Sequence, residues 1–195
     1  MNSPDSNATE ETAALIARAR DGDEAAFGAL MCVHYEPIFR TVYAIVRNEH
    51  DAREVCQEAW LAVWREIKSF RGASKFTTWV HPIAVRKALD HLRKRRRWYE
   101  RFLPFTTADE DTPGVAEPAT QHTARDEAEA SERSARLHQA LDSLPPKHRA
   151  VLALRELQGL SYEEIAAATS LPIGTVMSRL YHARRHLAQK LKESS

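Results

Sequence analysis

The end of the sequence places polar and basic side chains on one face of a predicted helix. At 100° per residue, four apolar positions of residues 173–192 cluster on the face that must be core: Val176, Leu180, Ala183 and Leu187. The opposite face carries Ser178, Tyr181, His182 and Arg185, with Met177 and Arg184 at its margins. Hydroxyl and imidazole groups can bind base edges, and arginines can bind phosphates or guanine. Together with the capped helix and tight turn predicted just before it, this pattern favours a helix that enters the major groove of DNA over an ordinary amphipathic terminal helix.

A second candidate region combines aromatic and basic side chains. Phe76 and Trp79 are three residues apart, so a helix would place them on one face. The surrounding residues 65–101 contain 12 basic and 3 acidic side chains. Such a combination suits single-stranded DNA, because bases stack on rings while the backbone meets positive charge. The alternative is that both rings belong to the core, which is the commoner fate of a tryptophan such as Trp79.

A third candidate surface lies on the acidic helix predicted from Asp51 to about Ile67. Its apolar positions step by three and four residues and form one core-facing stripe. The opposite face presents Glu54, Gln57, Leu61 and Arg65. This outward face could bind another protein.

The sequence lacks the patterns of a catalytic or metal centre. Its nine histidines are scattered, and only His182 and His186 have i, i+4 spacing, without the glutamate that a zinc-protease motif requires between them. Cys32 and Cys56 lie in helical patterns and form no metal-ligand spacing. No glycine-rich phosphate loop or nucleophile motif is present. We therefore predict a protein that is not an enzyme, binds no metal or cofactor, and occupies the reducing cytoplasm.

The net charge of +1 conceals a strong segregation of charge along the chain. Residues 1–60 carry 5 basic and 11 acidic side chains, and residues 104–136 carry 3 basic and 8 acidic ones. Residues 173–192 hold 5 basic and no acidic side chains. Two separate basic blocks are consistent with binding to a polyanion such as DNA. No apolar run reaches the ~18 residues of a membrane helix, so no membrane insertion is expected.

Helical periodicity runs through almost the whole chain, and no alternating strand pattern appears. The first four helices are predicted at about Ala13–Arg20, from Glu24, at Asp51–Ile67 and at about Ser74–Phe102. Residues 104–130 are rich in proline, threonine, alanine and acids, which predicts a flexible linker, with helix resuming near Ser131.

The C-terminal part has the signals of a helix-turn-helix. Pro145 and Pro146 suit a first helical turn, and Gly159 suits the position after a helix end. The sequence Ser161-Tyr-Glu-Glu164 is a capping box that opens a short helix to about Thr169. A brief turn and a longer basic helix to about Leu191 follow, which is the order expected of this motif.

Several of these segments resemble regions of the extracytoplasmic-function (ECF) RNA polymerase sigma factors of the sigma-70 family. Residues 51–64, DAREVCQEAWLAVW, are similar to region 2.2 of that family, and FRG, FTTW and ALDHLR within residues 70–93 are similar to regions 2.3 and 2.4. LPP at 144–146, ELQGLSYEEIA at 156–166 and GTVMSRL at 174–180 are similar to region 4. The resemblance implies an all-α protein of two small helical domains joined by a flexible linker. It implies a disordered N-terminus at 1–11, region 2 at 12–103, an acidic linker at 104–135 and region 4 at 136–195.

The resemblance also implies partners and the residues that bind them. The partners are core RNA polymerase, through its β′ clamp helices and β flap, promoter DNA and an anti-sigma factor. The residues expected to bind core polymerase are Asp51, Glu54, Gln57, Glu58 and Leu61. Those expected to melt or read the −10 element are Lys75, Phe76, Trp79, Arg86, Arg93, Lys94, Arg95 and Arg96. Those expected to read the −35 element are Thr175, Met177, Ser178, Arg179, Tyr181, His182, Arg184 and Arg185.

The sequence departs from the family pattern at three places. His81-Pro82 stands where the family usually has Tyr-Arg, and a proline inside a helix is expected to bend it. Arg86 stands where asparagine is frequent, and Met177 stands where a basic residue is common. The main alternative function is a stand-alone helix-turn-helix regulator, although such proteins usually dimerise and no spare apolar helix is evident.

Overall fold

The computed structural model describes the backbone of residues 4–102 and 125–193, with side chains for residues 11–98 and 134–193. The described residues form eight α-helices and one 3-10 turn and include no β-strand. The helices are α1 (Pro4–Arg20), α2 (Glu24–Val46), α3 (Glu49–Glu66), α4 (Phe76–Phe102), α5 (Arg125–Asp142), α6 (Pro146–Glu156), α7 (Tyr162–Thr169) and α8 (Ile173–Glu193). The 3-10 turn spans Ile67–Ser69. The all-α prediction is confirmed.

Side-chain caps set the boundaries of the N-terminal helices. Asp23 begins α2 by accepting a hydrogen bond from the backbone N–H of Ala26, and Gly22 supplies the positive φ of the preceding turn. Arg47 ends α2 in the left-handed conformation, and the Asn48 side chain then caps α3. These short polar residues satisfy backbone N–H groups that have no partner inside a helix. Consecutive helices therefore meet at tight corners and enclose one core.

Two helices begin earlier in the chain than the sequence predicted. Helix α1 begins at Pro4, so part of the N-terminus predicted to be disordered is helical. Helix α5 begins at Arg125 rather than near Ser131. Alanine, glutamate and arginine dominate the start of α5, and their high helix propensity outweighs the scarcity of large apolar groups. The remainder of the predicted linker, residues 104–124, lies outside the described residues.

Helix α4 contains a proline in its second turn. Pro82 offers no N–H to the carbonyl four residues earlier, and the sequence predicted a bend there. The residues on both sides of Pro82 nevertheless belong to the same 27-residue helix. The preceding residue, His81, is 1% exposed and points into the packed interior.

The C-terminal helices form the predicted helix-turn-helix. The Ser161 side chain accepts from the N–H of Glu164, whose carboxylate accepts from the N–H of Ser161, so both halves of the capping box are present. Ser170 ends α7 with a left-handed φ of 54°, and α8 begins three residues later. The short turn places α8 across α6 and α7.

The N-terminal module, α1–α4, and the C-terminal module, α5–α8, share one continuous apolar core. Helix α6 packs on α2 and α4, and α7 packs on α4. Polar contacts accompany this packing: the Arg47 guanidinium lies 2.6 Å from the Asp142 carboxylate, and the Gln158 amide donates to Thr41 Oγ1 at 3.0 Å. The two modules are therefore docked on each other, which the sequence did not predict.

A buried arginine lies at the centre of this docking interface. Arg149 on α6 is 4% exposed. Its Nε donates to the carbonyl of Ile45 at the end of α2 at 2.9 Å, and its Nη1 donates to the carbonyl of Leu144 at 2.8 Å. Burial lowers the pKa of Arg149 to about 10, so the group remains charged at neutral pH. The Arg149 side chain thus donates hydrogen bonds to backbone carbonyl groups of both modules.

Candidate nucleic-acid and polymerase interfaces

Helix α8 buries one face and exposes the face predicted to read DNA. Val176, Leu180 and Ala183 are fully buried. Four predicted reading residues are exposed on the other side: Ser178, Tyr181, His182 and Arg185. Thr175 and Arg179 are half-buried, and partial burial lowers the pKa of Arg179. The structure therefore presents a continuous polar and basic surface along α8.

One predicted phosphate-binding residue already has an acidic partner. The Arg184 guanidinium contacts the Glu156 carboxylate at 2.6 and 3.2 Å, and this hydrogen bonding raises the pKa of Arg184. Both side chains are about half exposed. Because Glu156 ends α6, the pair links the recognition helix to the helix that packs on the N-terminal module. Arg184 is consequently less available to a phosphate than Arg185.

His186 has a structural contact rather than a metal-binding one. Its Nε2 lies 2.7 Å from the Ser143 hydroxyl, which connects α8 to the end of α5. His182, one turn earlier, is exposed on the reading face. The i, i+4 histidine pair is therefore divided between two environments.

The aromatic residues of α4 differ in their burial. Phe76 is 4% exposed and packs against Phe70, Trp79 and His34, with ring centroids 5.6, 6.0 and 5.3 Å away. Trp79 is half-buried and rests on Phe70 at 5.3 Å. The sequence assigned both rings to a stacking surface, but the structure places Phe76 in the core. A base could reach Trp79 but not Phe76.

The basic residues of α4, and Lys75 immediately before it, are mostly exposed. Lys75, Arg86, Arg93, Lys94 and Arg96 present their side chains to solvent. Two of the predicted arginines have acidic partners: Arg93 pairs with Asp90, and Arg95 contacts the Asp51 carboxylate at 2.6 Å.

Asp51 connects the two predicted surfaces instead of facing outward. It lies at the start of α3, half-buried, with Arg95 at 2.6 Å and the His91 Nε2 at 3.5 Å. Ligand atoms of Asp51, Glu54 and His91 lie within 4.8 Å of one another, a spacing compatible with a metal ion. The Arg95 guanidinium already provides the positive charge there. Asp51 therefore holds the basic end of α4 against α3.

The outward face of α3 borders an apolar groove. Glu54, Gln57 and Leu61 are exposed, whereas Glu58 is half-buried and lies 3.4 Å from the Lys87 ammonium. Beside them, α2 and α3 enclose an open groove of about 510 Å³. Its lining includes the apolar side chains Phe27, Met31, Tyr35, Trp60, Leu61 and Trp64.

Sequence reasoning missed the residues that α2 contributes to this groove. Helix α2 carries apolar residues around more than one face, and only one of them packs in the core. That excess of apolar positions was the available signal. An exposed groove with aromatic walls next to acidic and amide side chains is suited to the apolar side of a partner helix.

His81 explains one departure from the family pattern. Its side chain is buried in the packed interior, and this burial lowers its pKa to about 4. Residue 81 therefore belongs to the interior and not to the exposed surface of α4. The thiol of Cys56 is also buried, and its pKa rises to about 12.

The fold and the surfaces define a helix-turn-helix protein. Its recognition helix α8 is exposed and basic, and the helix-turn-helix module packs against a second helical module, α1–α4. Two family descriptions match these modules: Sigma-70 region 2 over residues 32–98 and Sigma-70, region 4 over residues 134–187. The chain belongs to the ECF group of the sigma-70 family of RNA polymerase sigma factors.

Curated relatives match over nearly their whole length. The RNA polymerase sigma-H factor of Pseudomonas aeruginosa is 33% identical over 189 residues, which cover 94% of this chain and 95% of the relative. The ECF RNA polymerase sigma-E factor of Escherichia coli K12 is 34% identical over 180 residues, covering 91% and 93%.

Two solved structures share the fold. CnrH, solved in complex with the cytosolic domain of CnrY, aligns with a TM-score of 0.64 and 24% identity, covering 95% of this chain and 99% of CnrH. The sigma factor RpoE of Bartonella quintana, solved with the anti-sigma factor NepR, aligns with a TM-score of 0.66 and 23% identity, covering 85% and 96%. Within the described residues, no helix is long and apolar enough to cross a membrane.

Proposed function

We propose that this sigma factor binds core RNA polymerase through α3 and directs it to promoters by reading the −35 element with α8. The observation that carries the proposal is the exposed reading face of α8, positioned by the capped α7 and the tight turn at Ser170. Base-edge groups and a phosphate-binding arginine lie together on that face. The role is one of binding, without catalysis, metal or cofactor, and the cytoplasm is the compartment where these partners meet.

The α3 surface supports the polymerase contact. Leu61 is 51% exposed and adjoins the apolar groove, while Glu54 and Gln57 provide a polar margin. We assign this face to the β′ clamp helices, and we assign the C-terminal module to the β flap. Glu58 pairs with Lys87, and Asp51 pairs with Arg95. The two acidic residues therefore hold α4 against α3 and do not contact polymerase directly.

Trp79 and the exposed basic residues of α4, together with Lys75 just before it, support a contact with the −10 element. Lys75, Arg86, Lys94 and Arg96 offer positive charge, and the half-buried Trp79 ring offers one face for stacking. This combination suits a strand released from the duplex. Phe76 supports Trp79 from the core and has no direct role in this proposal.

We further propose that an anti-sigma factor controls the chain. Two relatives of similar fold were solved as complexes, one of them with a partner named an anti-sigma factor. The apolar groove between α2 and α3 would suit such a partner as well as polymerase. Competition between a candidate anti-sigma factor and core polymerase for the chain would test this assignment.

Run-off transcription on a promoter library is the experiment that tests the main proposal. The chain with core polymerase should produce discrete transcripts from a subset of promoters, and neither component should do so alone. A stand-alone helix-turn-helix regulator would instead bind specific DNA without polymerase. Specific, tight DNA binding by the free chain and no transcripts with core enzyme would reject the proposal in favour of that regulator.

Replacing Arg185 with alanine should weaken promoter binding similarly for all sequences. Arg185 is exposed, and among the described residues no ion pair to it occurs, so it is available to a phosphate. Loss of one phosphate contact should reduce the slope of log K against log salt by about one unit. Filter binding of the holoenzyme between low and moderate salt would measure this slope.

The Arg40→Ala variant is the matched control, because it removes an exposed arginine from α2 in the other module. Its salt slope should equal that of the wild type. Equal slopes for Arg185→Ala and the wild type would show that Arg185 does not bind a phosphate.

Replacing Trp79 with alanine should leave the closed promoter complex intact but impair strand opening. A stacking platform contributes about 1–3 kcal/mol per base, and the exposed side of the ring is the part available to a base. Permanganate footprinting would detect unpaired thymines, and a thermal melt would record stability. Full strand opening by a folded Trp79→Ala variant would contradict the melting role.

The buried neighbour provides the comparison. Phe76→Ala should lower the free energy of unfolding by about 3–5 kcal/mol, as expected for a core aromatic. A similar fall in the free energy of unfolding for Trp79→Ala would mean that Trp79 also acts mainly as a core residue.

A further inference from the structure

A mainly apolar depression, with two arginines among its lining residues, lies between α7 and α8. It is open to solvent and has a volume of about 400 Å³. Its lining residues are Tyr162, Met177, Leu180, Tyr181, Arg184 and Arg185. Four of these side chains contribute apolar surface, and the other two are arginines. The depression adjoins the reading face of α8 but has a different chemistry from the hydroxyl and imidazole groups there.

Two of its side chains leave large apolar surfaces in water. Met177 is 52% exposed and Tyr181 is 60% exposed, and they are one helical turn apart. Ile173, one turn before Met177, is exposed as well, so the three form a strip along the start of α8. Single exposed apolar residues are ordinary, but a strip of three on one side of a helix indicates a contact surface.

The charges around the strip select its ligand. Arg185 is one of the lining residues, and residues 173–192 contain no acidic side chain. The basic surroundings favour binding of a polyanion. The apolar strip would contact an uncharged apolar group on that polyanion. In the major groove of DNA, the 5-methyl group of thymine is the apolar group on a base edge.

We infer that Met177 and Tyr181 read the 5-methyl groups of thymines in the −35 element. This inference rests on the proposed function of α8 and assigns two of its residues to one feature of one base. The flexible thioether of Met177 can adapt its shape to a methyl group. The Tyr181 ring offers an apolar surface beside it and forms a T-shaped pair with the His182 ring, with centroids 5.4 Å apart.

The test begins with selection of −35 sequences by the full chain assembled with core polymerase. Thymines within the selected −35 element are then replaced one at a time by deoxyuridine, which lacks only the methyl group. Loss of one buried methyl should weaken promoter binding of the wild type about fourfold. Met177→Ala should bind the thymine promoter more weakly and should lose most of the difference between thymine and uracil.

Conservative variants and a second element serve as controls. Met177→Leu and Tyr181→Phe keep an apolar surface, and each should retain the preference for thymine. Deoxyuridine in the −10 element should affect the wild type and Met177→Ala equally, because that element is remote from α8.

Three results would overturn the inference. One is a selected −35 element without thymine on either strand, and another is a wild type that binds the thymine and uracil promoters equally. The third is a Met177→Ala variant that keeps the thymine preference but loses binding to core polymerase, which would identify the strip as a protein contact. Failure of the proposed function would give a different result, since selection would then enrich no −35 sequence at all.

Discussion

Replacing Arg149 with methionine should lower the free energy of unfolding by about 3 kcal/mol. The variant keeps an apolar side chain of similar length but leaves the carbonyls of Ile45 and Leu144 without their donor. Two further carbonyls, those of Leu141 and Asp142, lose weaker bonds at 3.4 and 3.2 Å. A buried polar group without a partner bears its full desolvation cost.

Differential scanning calorimetry would measure this effect. For a protein of this size, about 3 kcal/mol corresponds to a fall in Tm of roughly 6–12 °C. Gln158→Ala is the graded comparison, because Gln158 bonds Thr41 and Pro37 across the same interface but is less buried. It should cost about 1 kcal/mol. An Arg149→Met variant as stable as the wild type would show that the docked arrangement does not depend on this arginine.

Replacing Leu61 with aspartate should abolish binding to core polymerase while leaving the fold intact. Leu61 is half exposed, so the free chain tolerates a carboxylate there. In a complex through the α2–α3 groove, the same carboxylate would be buried against an apolar surface without a partner, which carries a large desolvation cost. Because the centre of an interface carries most of its energy, we expect a loss of at least 100-fold in affinity, or about 3 kcal/mol.

Val33→Asp provides the matched control for this experiment. Val33 is 63% exposed on α2 and is not among the side chains that line the groove. Both variants should show wild-type circular dichroism and similar melting, and only Leu61→Asp should fail to co-purify with core enzyme. If the two variants bind polymerase equally well, the α3 face is not the polymerase surface.

Local patterns were sufficient to predict most helices and the recognition helix. The capping box at Ser161 and the apolar spacing of α8 depend on residues within one or two turns, so the sequence displays them directly. The exposed residues of α8 follow from the same spacing. The same spacing could not predict how deeply Trp79 and Phe76 are buried, because two rings on one helix face can still differ in burial.

Contacts between distant residues could not be predicted in this way. Arg149 and Ile45 are 104 residues apart, and Gln158 and Thr41 are 117 apart. Neither pair has a local signal, since a surface arginine and an interface arginine look alike in a sequence. The same holds for Asp51, whose partner Arg95 lies 44 residues later on another helix. The sequence therefore assigned Asp51 to polymerase, although in this structure it holds Arg95.

The shared core of the two modules has a consequence for the span of the molecule on DNA. The −10 and −35 elements lie about 25 base pairs apart, or roughly 85 Å at 3.4 Å per base pair. A compact protein with as many residues as this chain has a diameter of only about 40 Å. If α4 and α8 occupy both elements at once, the contacts of Arg149 with Ile45 and of Gln158 with Thr41 must first separate. The free energy of the interface between the two modules then sets how much binding energy polymerase and promoter must supply to separate them. Variants that weaken this interface should therefore need less binding energy to extend.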